Sequence, residues 1–189
     1  MVAVEPDQGG SRFVVVTGPS RSGKSRWAES LLAGFSHVIY VATSPSRPDD
    51  TNWQERIQRH RDQRPSHWTL LEPGPDLSAA LGQIALSGSA EAVLIDALGA
   101  FVAAHLDQPE TVWQQRSDEL QRCLAAMPLT TVLVCEETGW GVVPPTAIGG
   151  LFRDRLGQLG QRLNAVADDS WLVVQGRAIN LHQLGHPVP

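Results

Sequence analysis

Three consecutive valines, Val14–Val16, lead through Thr17 into Gly18-Pro19-Ser20-Arg21-Ser22-Gly23-Lys24-Ser25. The β-branched run has the bias of a buried strand. The eight residues after it fit G-x-x-x-x-G-K-[ST], the phosphate-binding loop. Arg26–Leu32 then reads as a good helix former, so strand, loop and helix come in the order the motif requires. Gly18 and Gly23 let the backbone turn N–H groups inward around an anion, and the helix N-terminus adds partial positive charge. Pro19, Ser20, Arg21 and Ser22 complete the cradle. Lys24 can reach the β- and γ-phosphates, and the Ser25 hydroxyl can ligate Mg²⁺. A glycine turn before a helix with a surface lysine would share this pattern.

Lysine occurs once in the chain, at position 24; the other basic side chains, out of 15 in total, are arginine. The flexible point charge stands where a planar guanidinium would fit badly. With 189 residues the chain is long enough for one full core. We expect a flexible tail over residues 1–11 and one domain over 12–189. A formal net charge of −5 argues against a nucleic-acid binder. Cys123 and Cys135 lack metal-ligand spacing, and both sit in apolar patterns that predict buried thiols in a reducing compartment. The first residues lack the basic-then-apolar order of a signal peptide, and no apolar run reaches membrane-spanning length. The expected location is the cytoplasm.

Along the chain, strands are expected over 12–17, 37–43, 69–71, 92–96, 130–135 and 170–175. Helices are expected over 52–63, 76–86, 97–106, 109–127 and 145–167, with the residues after 175 as a tail. In the helix over 109–127, Trp113, Leu120, Leu124 and Met127 share a face. In the last helix Ile148, Phe152, Leu159, Leu163 and Val166 should point inward. The alternation predicts an α/β fold: an open, mostly parallel central sheet flanked by helices, with ligands at the strand carboxyl ends.

Asp96 closes an apolar strand, where a second Mg²⁺-directed carboxylate of a phosphate-loop protein would stand. A helix N-cap would look the same. In the helix over 52–63, Trp53, Ile57 and His60 share one face, and Arg56, His60 and Arg64 run along one ridge. Two fixed cations beside an imidazole keep it neutral, the nucleophilic form, and can hold a phosphate against it. A half-buried histidine flanked by solvated arginines would give the same spacing.

Several stretches together resemble one family, the bifunctional adenosylcobinamide kinase / adenosylcobinamide-phosphate guanylyltransferases of cobalamin biosynthesis. They are VVVTGPSRSGKSRWAE, VIYVAT, RIQRHRDQRPSHW, VLIDAL, the ETGWGVVP loop, FRDRLGQLGQRLNAVAD and WLVV, in the family's order over most of residues 12–175. The resemblance implies a RecA-like P-loop NTPase fold, often assembled as a homotrimer, with no nucleic-acid partner and no membrane span. It implies phosphorylation of the aminopropanol hydroxyl of adenosylcobinamide by ATP or GTP, with Mg²⁺. A second step transfers GMP from GTP to that phosphate through a guanylylated histidine. By position that histidine is His60, with Lys24 and Asp96 serving the phosphoryl transfer and Arg56, Arg64 and Glu72 joining the loop as nucleotide contacts. His67, beside Trp68, is a second imidazole in the segment.

The chain departs from the family pattern at Gly99 and Ala104, where a threonine and an asparagine are usual. It departs again at Glu136, in place of the asparagine of an Asn-Glu pair, and at Gly160, in place of another asparagine. A guanylyltransferase alone, another small-molecule P-loop kinase, and a non-catalytic nucleotide-binding module are the alternatives.

Overall fold

A computed structural model describes residues 11–44, 65–74 and 76–188. β1 (Phe13–Gly18) leads through the glycine loop into α1 (Lys24–Leu31), followed by β2 (Val38–Ala42) and β3 (Thr69–Leu71). Then come α2 (Leu77–Ser87), β4 (Ala92–Asp96), α3 (Leu98–Ala104), α4 (Glu110–Ala125) and β5 (Thr130–Glu136). α5 (Ala147–Val166), β6 (Asp169–Val174), β7 (Arg177–Asn180) and α6 (Leu181–Leu184) complete the described order.

Among the described residues the sheet has seven strands in the order β3-β2-β4-β5-β1-β6-β7. All neighbours run parallel except β6 and β7. One strand, β5, separates the loop-bearing β1 from β4, which ends in Asp96. That is the RecA-like arrangement.

The period-two geometry of a strand sends alternate side chains to opposite faces, and near-continuous apolar strands let both faces be covered. Phe13 and Val15 of β1, Val93 and Ile95 of β4, and Leu133 and Cys135 of β5 point to one side. There they pack against Leu77, Leu81 and Ile84 of α2, Leu98 and Phe101 of α3, Trp113, Leu120 and Leu124 of α4, and Leu156, Leu159 and Leu163 of α5. Val14, Val16, Tyr40, Leu94, Val132 and Val134 point to the other side, onto Ala28 of α1 and the adjoining Leu32. The phosphate-loop helix therefore lies on one face and α5 on the opposite one, with the strand ends between them.

Several expectations are corrected. The residues after 175 are not a tail: Gly176, at φ +72°, turns the chain back into β7, which pairs antiparallel with β6. Ile148 and Val166 do not point inward; they are exposed, and the buried face of α5 runs through Arg155, Leu156, Leu159 and Leu163. Cys135 is buried, but Cys123 is only half-buried. The helix expected over 52–63, with Trp53 and Ile57, lies outside the described residues, as does the expected tail but for Ser11. No described helix is long and apolar enough to cross a membrane.

Candidate active site

Gly18 ends β1 at a point where no side chain fits. A methyl group there would collide with the Val173 carbonyl oxygen and come 2.8 Å from the Ser22 hydroxyl. Gly23 has φ +102°, a left-handed conformation that costs glycine nothing and other residues a good deal. Between them Ser22 is buried, its backbone N–H donating to the Pro19 carbonyl at 3.3 Å and its Oγ accepting from the Lys24 N–H at 3.3 Å. The Ser22 carbonyl accepts from the Gly176 N–H at 3.0 Å, which ties the loop to the β6–β7 turn. α1 starts with Gly23 as its cap, without a side-chain cap and without an acid in its first turn. Beyond the Lys24 N–H, which Ser22 takes, the first turn of α1 and its positive dipole end remain available to an anion. Lys24 Nζ donates to the Pro19 carbonyl at 3.3 Å, folding the ammonium over the loop.

Two strand ends away, the Asp96 carboxylate is partly buried and accepts a hydrogen bond from the Tyr40 hydroxyl at 2.8 Å. Thr43 fastens the ends of β2 and β4 together. Its hydroxyl donates to the Ala97 carbonyl at 2.6 Å and accepts from the Ala97 N–H at 2.7 Å, and its own N–H donates to the Asp96 carbonyl at 3.2 Å. Asp96 is thus held from its side chain and its main chain.

The strand between, β5, ends in Glu136, which pairs in register with Gly18. Its carboxylate accepts from the Gly99 N–H at 2.8 Å. A methyl group on Gly99 would stand 2.8–2.9 Å from that carboxylate, so a glycine at 99 leaves the room that a glutamate at 136 fills. Burial pushes the Glu136 carboxyl above the usual range, and the nearby Asp96 charge pushes the same way. The Gly99 N–H and the Lys24 ammonium pull it back. Beside it, burial drives the Cys135 thiol up to about 12, aided by the Glu136 and Glu137 charges, so it stays protonated and inert.

In the sequence Glu136 stands out only as a departure from the family pattern. The signal was present: TTVLVCE, like AVLID, is an apolar strand ending in an acid. Only the strand order shows that the two acids flank the same loop.

The structure brings Gly18–Ser25 and Asp96 to one edge of the sheet, at its carboxyl ends. Glu72 lies just beyond the carboxyl end of β3, exposed, and His67 is exposed ahead of β3. His60, Arg56 and Arg64 lie outside the described residues. Among the described residues no three His, Cys, Asp or Glu side chains are grouped so that they could hold a metal ion together.

Sheet order, glycine loop and the facing acid define a P-loop nucleotide-binding protein with a RecA-like core. An ATPase of a bacterial type III secretion system shares this fold, with a TM-score of 0.57 at 11% identity, over 93% of this chain and 59% of that one. The more specific likeness is in the sequence. The model of the cobinamide kinase / cobinamide phosphate guanyltransferase family matches residues 14–181, and the chain belongs to that family. It is 36% identical to the bifunctional adenosylcobalamin biosynthesis protein CobU of Salmonella typhimurium, over 89% of this chain and 99% of that protein. To the Escherichia coli protein of the same name it is 35% identical, with the same coverage of both chains. To CobP of Pseudomonas aeruginosa it is 36% identical, over 79% of this chain and 85% of that one.

Proposed function

We propose that this enzyme phosphorylates adenosylcobinamide with ATP or GTP and then transfers GMP from GTP to the resulting phosphate, in the assembly of the cobalamin nucleotide loop. Family membership across most of the chain supports the pair of activities. The observation that carries the nucleotide half is the preformed loop: Gly18 where neighbours leave no room for a side chain, Gly23 in a left-handed conformation, an α1 N-terminus without a side-chain cap, and the chain's one lysine folded over it.

In the kinase step Lys24 and the loop N–H groups hold the triphosphate and meet the charge that develops on the transferring group. The donors around the loop suit Mg²⁺: the Ser25 hydroxyl and the Asp96 carboxylate are hard oxygens, and this ion takes few protein ligands beside phosphates and water. Bound with the nucleotide, it would neutralise phosphate charge. In the second step the His60 imidazole nitrogen attacks the α-phosphorus of GTP. A P–N bond forms, the α–β bridging bond breaks, and pyrophosphate leaves with the electron pair. A phosphate oxygen of adenosylcobinamide phosphate then displaces the histidine from phosphorus. Arg56, four residues before His60 in the expected helix, and Arg64, four residues after it, neutralise the transferring phosphate, and Glu72 contacts the nucleotide.

The chain works as a homotrimer in this reading. Supporting it is an exposed apolar segment after β5, with Trp140, Val142 and Val143 exposed by 61%, 94% and 69%; such a contiguous patch marks an association surface more often than a free one.

The test is GTP labelled at the α-phosphate. Wild-type protein should acquire an acid-labile, base-stable label that His60→Ala abolishes and His67→Ala leaves intact. A label that survives His60→Ala would remove His60 from the mechanism. Lys24→Ala should abolish triphosphate binding by calorimetry, and unchanged affinity would contradict the loop assignment.

A further inference from the structure

A cleft of about 240 Å³ opens at the strand carboxyl ends on the face opposite α1. β1 and β5 floor it with Thr17, Cys135 and Glu136, and α5 walls it with Leu156, Gly157 and Asn164 among others. Glu136 therefore stands at a boundary. On one side are Lys24 and Asp96, near enough to bias its charge in opposite senses. On the other is the cleft. Thr17, the residue before the loop, and Glu136, in register with Gly18, both line the cleft, so a group entering from the α5 side comes up to the Glu136 carboxylate next to the phosphate loop. At roughly 30 Å³ per water-sized heavy atom, the volume takes about eight such atoms. That suits the end of a hydroxyalkyl amide arm, not a macrocycle.

We propose that this cleft admits the hydroxyl-bearing arm of the phosphoryl acceptor, and that in this chain Glu136, a carboxylate where the family pattern has an asparagine, takes the proton of that hydroxyl. The inference rests on the kinase reading given above. As the acceptor oxygen bonds to the terminal phosphorus, the bond from that phosphorus to its bridging oxygen breaks. The nucleoside diphosphate leaves with the electron pair, and the hydroxyl proton passes to the Glu136 carboxylate and later to water through the open cleft. Gly99 serves the same end from behind: its N–H holds the carboxylate, and its missing side chain leaves the space in which the carboxylate sits. The half-buried Leu181 gives the wall an apolar surface for the methylenes of the arm, while Thr17 and Asn164 offer partners for an amide.

Two variants test this in the full chain with cobinamide, Mg²⁺ and ATP. Glu136→Gln keeps the shape and an acceptor for the Gly99 N–H; its kcat for phosphorylation should fall by about 10²- to 10⁴-fold, the usual worth of a positioned base. Its affinity for ATP, and labelling by α-labelled GTP, should stay within about two-fold of wild type. Gly157→Leu adds a side chain where open space surrounds the missing Cβ, on a helix that accepts leucine. It should raise KM for cobinamide at least about ten-fold, with ATP affinity unchanged. Full kcat in Glu136→Gln, or an unchanged KM in Gly157→Leu, would overturn the inference and leave the kinase reading standing. Loss of ATP affinity in parallel with kcat in Glu136→Gln would overturn it too, since the residue would then act on nucleotide binding. A wild-type protein that binds ATP yet never phosphorylates cobinamide would remove the kinase reading and this inference with it.

Discussion

At position 136 one carboxylate answers to two environments. Its burial raises the carboxyl pKa, and the Asp96 charge adds to the rise, against the Gly99 N–H and Lys24. A raised value means that the folded chain holds the proton more tightly than the unfolded one. The stability linked to that proton is present below the unfolded carboxyl pKa and lost as pH rises through the folded one. Glu136→Gln has no such loss. Without nucleotide, it should melt above the wild type at about pH 7, and the gap should close toward about pH 4. Thermal melts across that window decide it; a variant melting below wild type at neutral pH would mean that the charge, not its burial, dominates there. The phosphate loop itself was fully legible, because its residue types are dictated by local backbone geometry. The partnership of Gly99 and Glu136 was not, since 37 residues separate them and only the adjacency of β4 and β5 brings them together.

Among the elements, α5 shows how a helix can be held by a polar contact that periodicity hides. Arg155 is 4% exposed in the middle of its buried stripe. Its guanidinium donates to the carbonyls of His105 at 2.8 Å and Gln108 at 3.1 Å, pairs with Glu110 at 3.2 Å, and lies 5.0 Å from the centre of the Trp113 ring. One side chain thus bonds two carbonyls of the connection between α3 and α4 and fixes α5 to the start of α4. Arg155→Met keeps the apolar stem and removes the donors. It should cost roughly 2–3 kcal/mol, chiefly from a carbonyl left without a partner, or about 4–12 °C in Tm for a chain of this size. Urea unfolding measures it, and a cost under about 0.5 kcal/mol, the scale of surface substitutions, would show that water replaces the guanidinium. Arginine on an amphipathic helix reads as solvated, which is why the inward face was expected to run through Ile148 and Val166. Those residues sit in the first and last turns of α5 and are exposed.

For the molecule as a whole, the two cores put nucleotide and acceptor on opposite faces of one sheet edge. α1 fills one side, α2–α5 the other, and the strand ends form the boundary. The departures at 99, 136 and 160 fall on the acceptor side: Glu136 and Gly160 line the cleft, and Gly99 backs Glu136. They leave the phosphate loop unchanged. Among the described residues, the loop after β5 exposes three large apolar side chains within four positions, Trp140, Val142 and Val143. Sedimentation equilibrium should give a mass three times the 20.5 kDa of the chain, and replacing Trp140, Val142 and Val143 together by serine should shift it toward the monomer. A triple variant that sediments as the wild type does would place the association surface elsewhere.

By itself the sequence determined the alternating strands and helices, the parallel sheet, the phosphate loop and the family. Each of these rests on local rules: which residues tolerate a left-handed turn, which runs can be buried on both faces, which acids can end a strand. Only the tertiary structure decided that β5 lies between β1 and β4, that β7 closes the sheet edge, and that Glu136 meets Gly99 and Lys24 beside a cleft. Those contacts join residues far apart in the chain, and pairing between strands leaves no periodic mark in either partner.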